Sequence, residues 1–200
     1  MIEALTLEEL NNKVVEKYNH DERRVIGIMI ARYTIPLAQE IINSCYEYWD
    51  ANTGKYMDIF WAGYGEYISP DEVTRRKVIL KYPENEKRAY FDLDAFIEIK
   101  DQLDEKFNIP YSDKLQLVLV NYRDGMIRFD ETVRIDLENN LDVNHSKIRE
   151  VMEFVWKECR HECEVAPIGR KLKIKEKKEK LKGITFSDIV STAIGAASLV

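Results

Sequence analysis

Three cysteines, eight glycines and five prolines are few for 200 residues. So small and odd a number of cysteines excludes a disulfide-stapled scaffold, and the scarcity of glycine and proline excludes a collagen-like or low-complexity chain. Basic side chains fall short of acidic ones, 30 against 36. That balance argues against a nucleic-acid reader that works by covering phosphates with a basic surface. A membrane-length apolar run is missing as well. The candidate stretch, Ile189 to Val200, would reach roughly 18 Å as a helix against a hydrocarbon core of about 30 Å, so it cannot span. The opening Met1-Ile2-Glu3-Ala4-Leu5 has no basic region followed by an apolar one. With the unpaired cysteine count, this makes a reducing compartment, the cytoplasm by default, the expectation.

What is present is a chain 45% hydrophobic and 33% charged, enough for one domain with a real core and a tail. Charge is unevenly spread along it. Residues 1–164 carry 22 basic and 33 acidic side chains, whereas residues 165–200 carry 8 and 3, so the last fifth is electrostatically a different object.

Thr6-Leu7-Glu8-Glu9 spells a capping box, and Leu7, Leu10, Val14 and Tyr18 fall on one face of a helix over about 7–18. Val25 to Ala31 is a continuous apolar run of strand length, expected to be buried on both faces. Pro36 opens a helical pattern carried by Leu37, Ile41, Cys45, Tyr48 and Trp49 and stopped by Asn52-Thr53-Gly54. Tyr56 to Tyr64 reads as a second strand, so 25–64 is a βαβ unit with parallel strands. Lys77 to Tyr82 and Arg88 to Phe91 around Pro83-Glu84-Asn85 suggest a hairpin within an insertion at about 66–91. Phe96, Ile99, Leu103 and Phe107 mark a helix from Leu93 to near Pro110. Leu115 to Tyr122 and Met126 to Leu137 flank Asp124-Gly125, the strongest short hairpin signal in the chain. Ile148, Met152, Val155, Cys159 and Cys163 form the stripe of a further helix.

This order of elements resembles that of the thioredoxin-like fold over roughly residues 25–163, with an extra amino-terminal helix. The resemblance implies a three-layer α/β sandwich with a mixed sheet. Where that family carries Cys-x-x-Cys, this chain has Ala31-Arg32-Tyr33-Thr34-Ile35-Pro36, so the resemblance implies no dithiol chemistry. The expected division is an α/β domain over 1–167, followed over 168–200 by a basic linker and a short apolar helix.

Open α/β sheets collect ligands beyond the carboxyl ends of their parallel strands, which singles out Arg32, Tyr33 and Thr34 after the first strand and Trp61, Gly63, Tyr64, Gly65 and Glu66 at the end of the second. Gly63-Tyr64-Gly65 has the look of a phosphate loop but lacks a third glycine and an immediate helix, and a plain turn after a strand is the simpler reading. Asp92-Leu93-Asp94 resembles the paired aspartates of haloacid-dehalogenase phosphatases, yet a helix starts at once and an N-cap explains the pair. Cys159-Arg160-His161-Glu162-Cys163 on a continuous helix would turn His161 away from the cysteines, so no zinc site closes and buried structural thiols are expected. His20 and His145 have no companion at useful spacing.

Lys171 to Lys182 is a basic segment that could be a solvated linker or helix face, or could attract anionic lipid or an acidic partner surface. Beyond it, Phe186, Ile189, Val190, Ile194 and Ala197 would line one side of a short docking helix. The expectation is therefore a non-catalytic interaction or assembly subunit of an intracellular bacterial complex, contacting a protein partner or a second copy through its tail and aromatic strand ends, with no cofactor and no metal. The competing expectation is an enzyme or sensor that takes a phosphorylated or nucleotide ligand at the strand ends. Attachment to a membrane surface is a third.

Overall fold

Why the chain forms a sheet with helices is clearest at its most apolar segment. In the computed structural model, which describes residues 2–44, 56–81, 89–137, 145–179, 184–186 and 190–191, the run after Arg23 forms β2 (Arg24–Ile30), buried from Val25 onward. Only a strand covered on both faces can be apolar at every position. It runs parallel to β3 (Asp58–Ala62), with Ile26 opposite Asp58 and Met29 opposite Trp61. The connection starts with α2 (Pro36–Ser44). Cys45, Tyr48, Trp49 and the stop signal after them lie outside the described residues.

On the other side of β2 runs β7 (Leu115–Arg123), antiparallel and buried through Tyr122, and against β7 lies β8 (Met126–Leu137). Asp124 (φ 54°) and Gly125 (φ 73°) turn that hairpin in the left-handed conformation that Asp-Gly supports. Together β3, β2, β7 and β8 form one continuous stretch of sheet.

The sheet extends further than the sequence pattern foretells. β1 (Ile2–Ala4), only three residues long, lies parallel to β3 between β3 and β4 (Tyr64–Gly65). β6 (Ala89–Asp92) and β5 (Lys77–Lys81) follow, so the expected hairpin exists and prolongs the same sheet to an edge at β5. Its turn, 82–88, lies outside the described residues. The architecture is α/β with a mixed, open sheet and, among the described residues, five α-helices.

Local signals set the helix ends. α1 (Leu7–Lys17) is capped by the Thr6 hydroxyl, which accepts from the Glu9 amide at 2.9 Å, while Glu9 reaches back to the Leu5 amide at 2.8 Å. α3 (Leu93–Phe107) is capped by Asp92, whose carboxylate accepts from the amides of Asp94 and Ala95 at 2.9 and 3.2 Å. The same helix closes on Asn108 at φ 55°, a left-handed cap. α4 (His145–Cys159) carries Ile148, Met152 and Val155 into the core.

Past Cys159 the structure departs from expectation in three places. α4 ends there, so Cys163 lies beyond it and is exposed, while Cys159 is buried. The basic segment is no linker up to residue 179, because α5 (Val165–Glu179) runs through Pro167 with Val165, Ile168 and Leu172 buried in the same core as the sheet. Its first amide, on Val165, donates to the Asn121 side chain at 2.9 Å, where β7 and β8 shift register. The third departure concerns the tail. Phe186 and Val190, expected on a helix, lie in β9 (Ile184–Phe186) and β10 (Val190–Ser191), both antiparallel to β8. A two- or three-residue strand carries too little periodicity to be told from a helix turn, and only the β8 edge supplies its hydrogen-bond partners. Ile189, Ile194 and Ala197 lie outside the described residues.

Candidate functional site

The carboxyl ends of β2 and β3 do lie side by side, but most of the aromatic residues there face inward. Trp61, Gly63, Tyr64 and Gly65 are all buried. Their rings form a chain in which Trp61 packs on Tyr64, Tyr64 on Phe91 and Phe91 on Phe96, at centroid separations of 5.4, 5.1 and 5.6 Å. The Tyr64 hydroxyl donates to the Ala31 carbonyl at 2.8 Å, and burial holds its acidity far below that of a free tyrosine. Gly63 sits at φ 81° against the first turn of α3, where an added Cβ would fall 2.5 Å from the Cβ of Phe96. An added Cβ at Gly65 would strike the Tyr90 ring. These glycines allow close approach of protein to protein, and neither opens a cradle for phosphate.

What remains at the surface of this end is smaller. Arg32 and Tyr33 are half-buried, and Thr34 and Glu66 are exposed. Arg32 meets an element that sequence reasoning passed over, the loop between α3 and β7. Its terminal nitrogen lies 3.4 Å from the Asp113 carboxylate, longer than a good charge-assisted bond. Three polar atoms in this corner are buried with no acceptor for the proton they carry: Arg32 Nε, Ser112 Oγ and the Tyr111 hydroxyl, whose oxygen faces the Arg32 backbone N–H. Burial raises the Tyr111 pKa against the opposing pull of the Arg32 backbone N–H and then of the Arg32 cation, and the Tyr111 ring packs on Phe96 at 5.4 Å. The sequence clue was Tyr111-Ser112-Asp113, polar residues immediately after a proline that follows a helix stop.

The opposite end of the parallel strands holds a second constellation. Asp58 opens β3 and is buried, with the Lys17 ammonium 2.7 Å away and the Tyr18 hydroxyl donating to it. The Tyr18 pKa is raised, first by burial and then by that bond to Asp58. The Arg24 guanidinium lies over the Tyr18 ring at 4.6 Å. Tyr18 had counted only as part of an apolar face, whereas a charged residue at the head of an apolar strand was a legible signal for its partner.

Beside this cluster is a cleft of about 310 Å³ lined by residues that include Arg23, Arg24, Tyr56, Cys159 and Cys163. Burial pushes the Cys159 thiol up to about 12, and its sulfur lies 3.8 Å from the Met57 sulfur, so it is a packing group. Arg160 stacks over Trp156 and Tyr56 at 3.9 and 5.0 Å. Among the described residues, no group of three or more His, Cys, Asp or Glu could hold a metal ion.

Asp92 and Asp94 have other partners. Asp92 caps α3 and faces Lys77 at 3.7 Å, while both carboxylate oxygens of Asp94 are taken by Arg76, which holds its pKa low. His20 lies against Gly125 and accepts that residue's amide on its carbonyl at 3.0 Å. In the basic segment, Lys171 pairs with Glu158 and Glu162 at 2.6 and 2.9 Å, and Lys175 with Glu150 at 2.7 Å. Those two lysines answer Glu150 and Glu158 of α4 and Glu162 just beyond it within the same chain. None of the helices among the described residues is long and apolar enough to cross a membrane.

Comparison with known proteins yields no matching family model, no similar curated protein and no similar solved structure.

Proposed function

We propose that this chain is a non-catalytic assembly module whose carboxy-terminal segment docks by strand addition. The observation that carries the reading is the pairing of that segment with the β8 edge: Phe186 opposite Ile135, Ile184 opposite Leu137, and Val190 opposite Thr132. Short strands added to a sheet edge gain main-chain hydrogen bonds with whatever chain presents the edge, whether their own or that of a second copy. The segment follows α5 through residues 180–183, so the same pairing can be made within one chain or exchanged between two. A thioredoxin-like core without a redox centre is the architecture we infer beneath it. The strand order β3-β2-β7-β8, its first pair parallel and the others antiparallel, supports that inference.

The aromatic contact surface is narrower in this reading than the strand ends as a whole. Tyr33 is half-buried, and Tyr67, 67% exposed, is the most exposed large hydrophobic side chain among the described residues.

The test compares the full chain with a chain ending at Lys182, which keeps α5 whole, by size-exclusion chromatography with light scattering across a hundredfold range of concentration. The full chain is expected to form a dimer that the shortened chain does not. Amide exchange over residues 131–137 should then accelerate on dilution of the full chain. A full chain that stays monomeric throughout, with exchange over 131–137 independent of concentration, overturns the reading.

A further inference from the structure

We propose that Arg32, Tyr111 and Ser112 form a binding site for a phosphate group, free or carried on a small molecule. A buried polar group without a partner costs free energy that a folded protein ordinarily avoids, so a cluster of them asks for an explanation. Other unpartnered atoms are scattered through the fold, but here three donors without an acceptor come from one corner, the Tyr111 oxygen taking only the Arg32 backbone N–H. Arg32 Nε–H is a donor only. The Tyr111 and Ser112 hydroxyls each carry a proton to give. A set of donors lacking acceptors calls for a ligand rich in acceptor oxygens, and a phosphate supplies several from one atom centre.

The place agrees with the chemistry. Arg32 stands in the turn that follows β2, and Tyr111 and Ser112 stand in the loop that leads into β7, the neighbouring strand. Crevices beyond the carboxyl ends of parallel strands are where open α/β sheets bind ligands. The charge is suitable too, since Arg32 is permanently cationic and its ion pair with the 78% exposed Asp113 is long and open to water. Asp113 is the rival of any anion here, holding the outer edge of the guanidinium while leaving Nε unused. Entry of a phosphate therefore requires the guanidinium to turn from Asp113 toward the buried hydroxyls. Tyr33, half-buried and packed on Phe91 at 6.4 Å, adjoins Arg32 and offers a ring face to an organic group attached to the phosphate.

The experiment titrates inorganic phosphate into the full chain at constant ionic strength, with chloride as the balancing anion, and follows the backbone amides of residues 111–113 by heteronuclear NMR. Saturable shifts are expected. Arg32→Lys keeps the charge and removes Nε–H, and it should abolish saturation. Tyr111→Phe keeps the ring on Phe96 and should weaken binding by about tenfold, the loss of one hydrogen bond to a charged group. Asp113→Asn, conservative in a residue at φ 57°, should tighten binding several-fold by removing the rival charge.

Adenosine monophosphate forms the second arm. Saturation at lower concentration than inorganic phosphate assigns the phosphate to a carried group beside Tyr33, and equal saturation assigns it to the free ion. Shifts that follow chloride equally, fail to saturate, or persist unchanged in Arg32→Lys overturn the site. The chain ending at Lys182 keeps every one of these residues, so this site and the tail docking can fail separately.

Discussion

Tyr18 shows how much one hydroxyl can hold. Its ring packs on Tyr122 at 5.6 Å, its oxygen donates to the buried Asp58, and Lys17 completes the neutralisation of that carboxylate. Burial and the bond to Asp58 both favour the protonated phenol, so its folded pKa lies above the value of about 10 that an unfolded tyrosine has. A group with a raised folded pKa contributes stability that is complete below its unfolded pKa and is lost as pH climbs beyond it. Tyr64, Tyr90, Tyr111 and Tyr122 are shifted in the same direction, as is Cys159. Unfolding free energy, measured in urea between pH 8 and pH 11, should therefore fall from about pH 9 upward. Tyr18→Phe should cost about 1–3 kcal/mol at neutral pH, because the buried carboxylate loses a donor, and it should fall less steeply than wild type above pH 10. A Tyr18→Phe curve that is lowered but parallel would mean that Tyr18 ionises as freely in the fold as outside it. None of this was legible from periodicity, which counts Tyr18 as apolar and is blind to the partner 40 residues away.

At the scale of elements, the structure repays signals that are local and fails those that are not. Thr6 and Asp92 act through amides within three residues of themselves and Asp124-Gly125 through its own left-handed backbone, and each does what its chemistry dictates. Asp92 gives the sharpest test. Its carboxylate caps α3 and lies 3.7 Å from Lys77, whereas a metal-binding or nucleophilic carboxylate would keep those oxygens for other work. Asp92→Ala should lower stability by about 1–2 kcal/mol, measured by urea unfolding, and Asp92→Asn, which keeps an acceptor for the Asp94 and Ala95 amides, by only a few tenths. Equal losses in the two variants would transfer the weight from the cap to the charge opposite Lys77. β1 and β4, by contrast, were illegible. Three and two residues long, they are strands because β3 and β6 offer them partners, and no window of their own sequence can say so. The candidate site divides along the same line: Arg32 was visible from its place after a strand, while Tyr111 and Ser112 belong to it only through the neighbouring position of β7.

For the whole molecule, the decisive boundary is where the fold ends and the tail begins. The change in charge at residue 165 marks a real change in composition but no edge of the domain, because α5 inserts Ile168 and Leu172 into the common core and pairs Lys171 and Lys175 with α4. Composition misleads here because the lysines are long enough to reach acidic partners while Leu172 between them faces inward. A chain ending at Pro167 loses both buried side chains, each a loss of about 2–5 kcal/mol, from a total that for a domain of this size is about 5–15 kcal/mol. It should show no cooperative thermal transition by circular dichroism, whereas a chain ending at Lys182 should melt cooperatively. A Pro167 chain that melts like the full chain would return α5 to the tail. If the Lys182 chain also loses its transition, then β9 and β10 are part of the fold that stabilises β8, and strand exchange between copies would require the domain itself to open. Cooperative melting at Lys182 thus sets the condition under which the tail is free to serve a second chain: the β8 edge must survive without it.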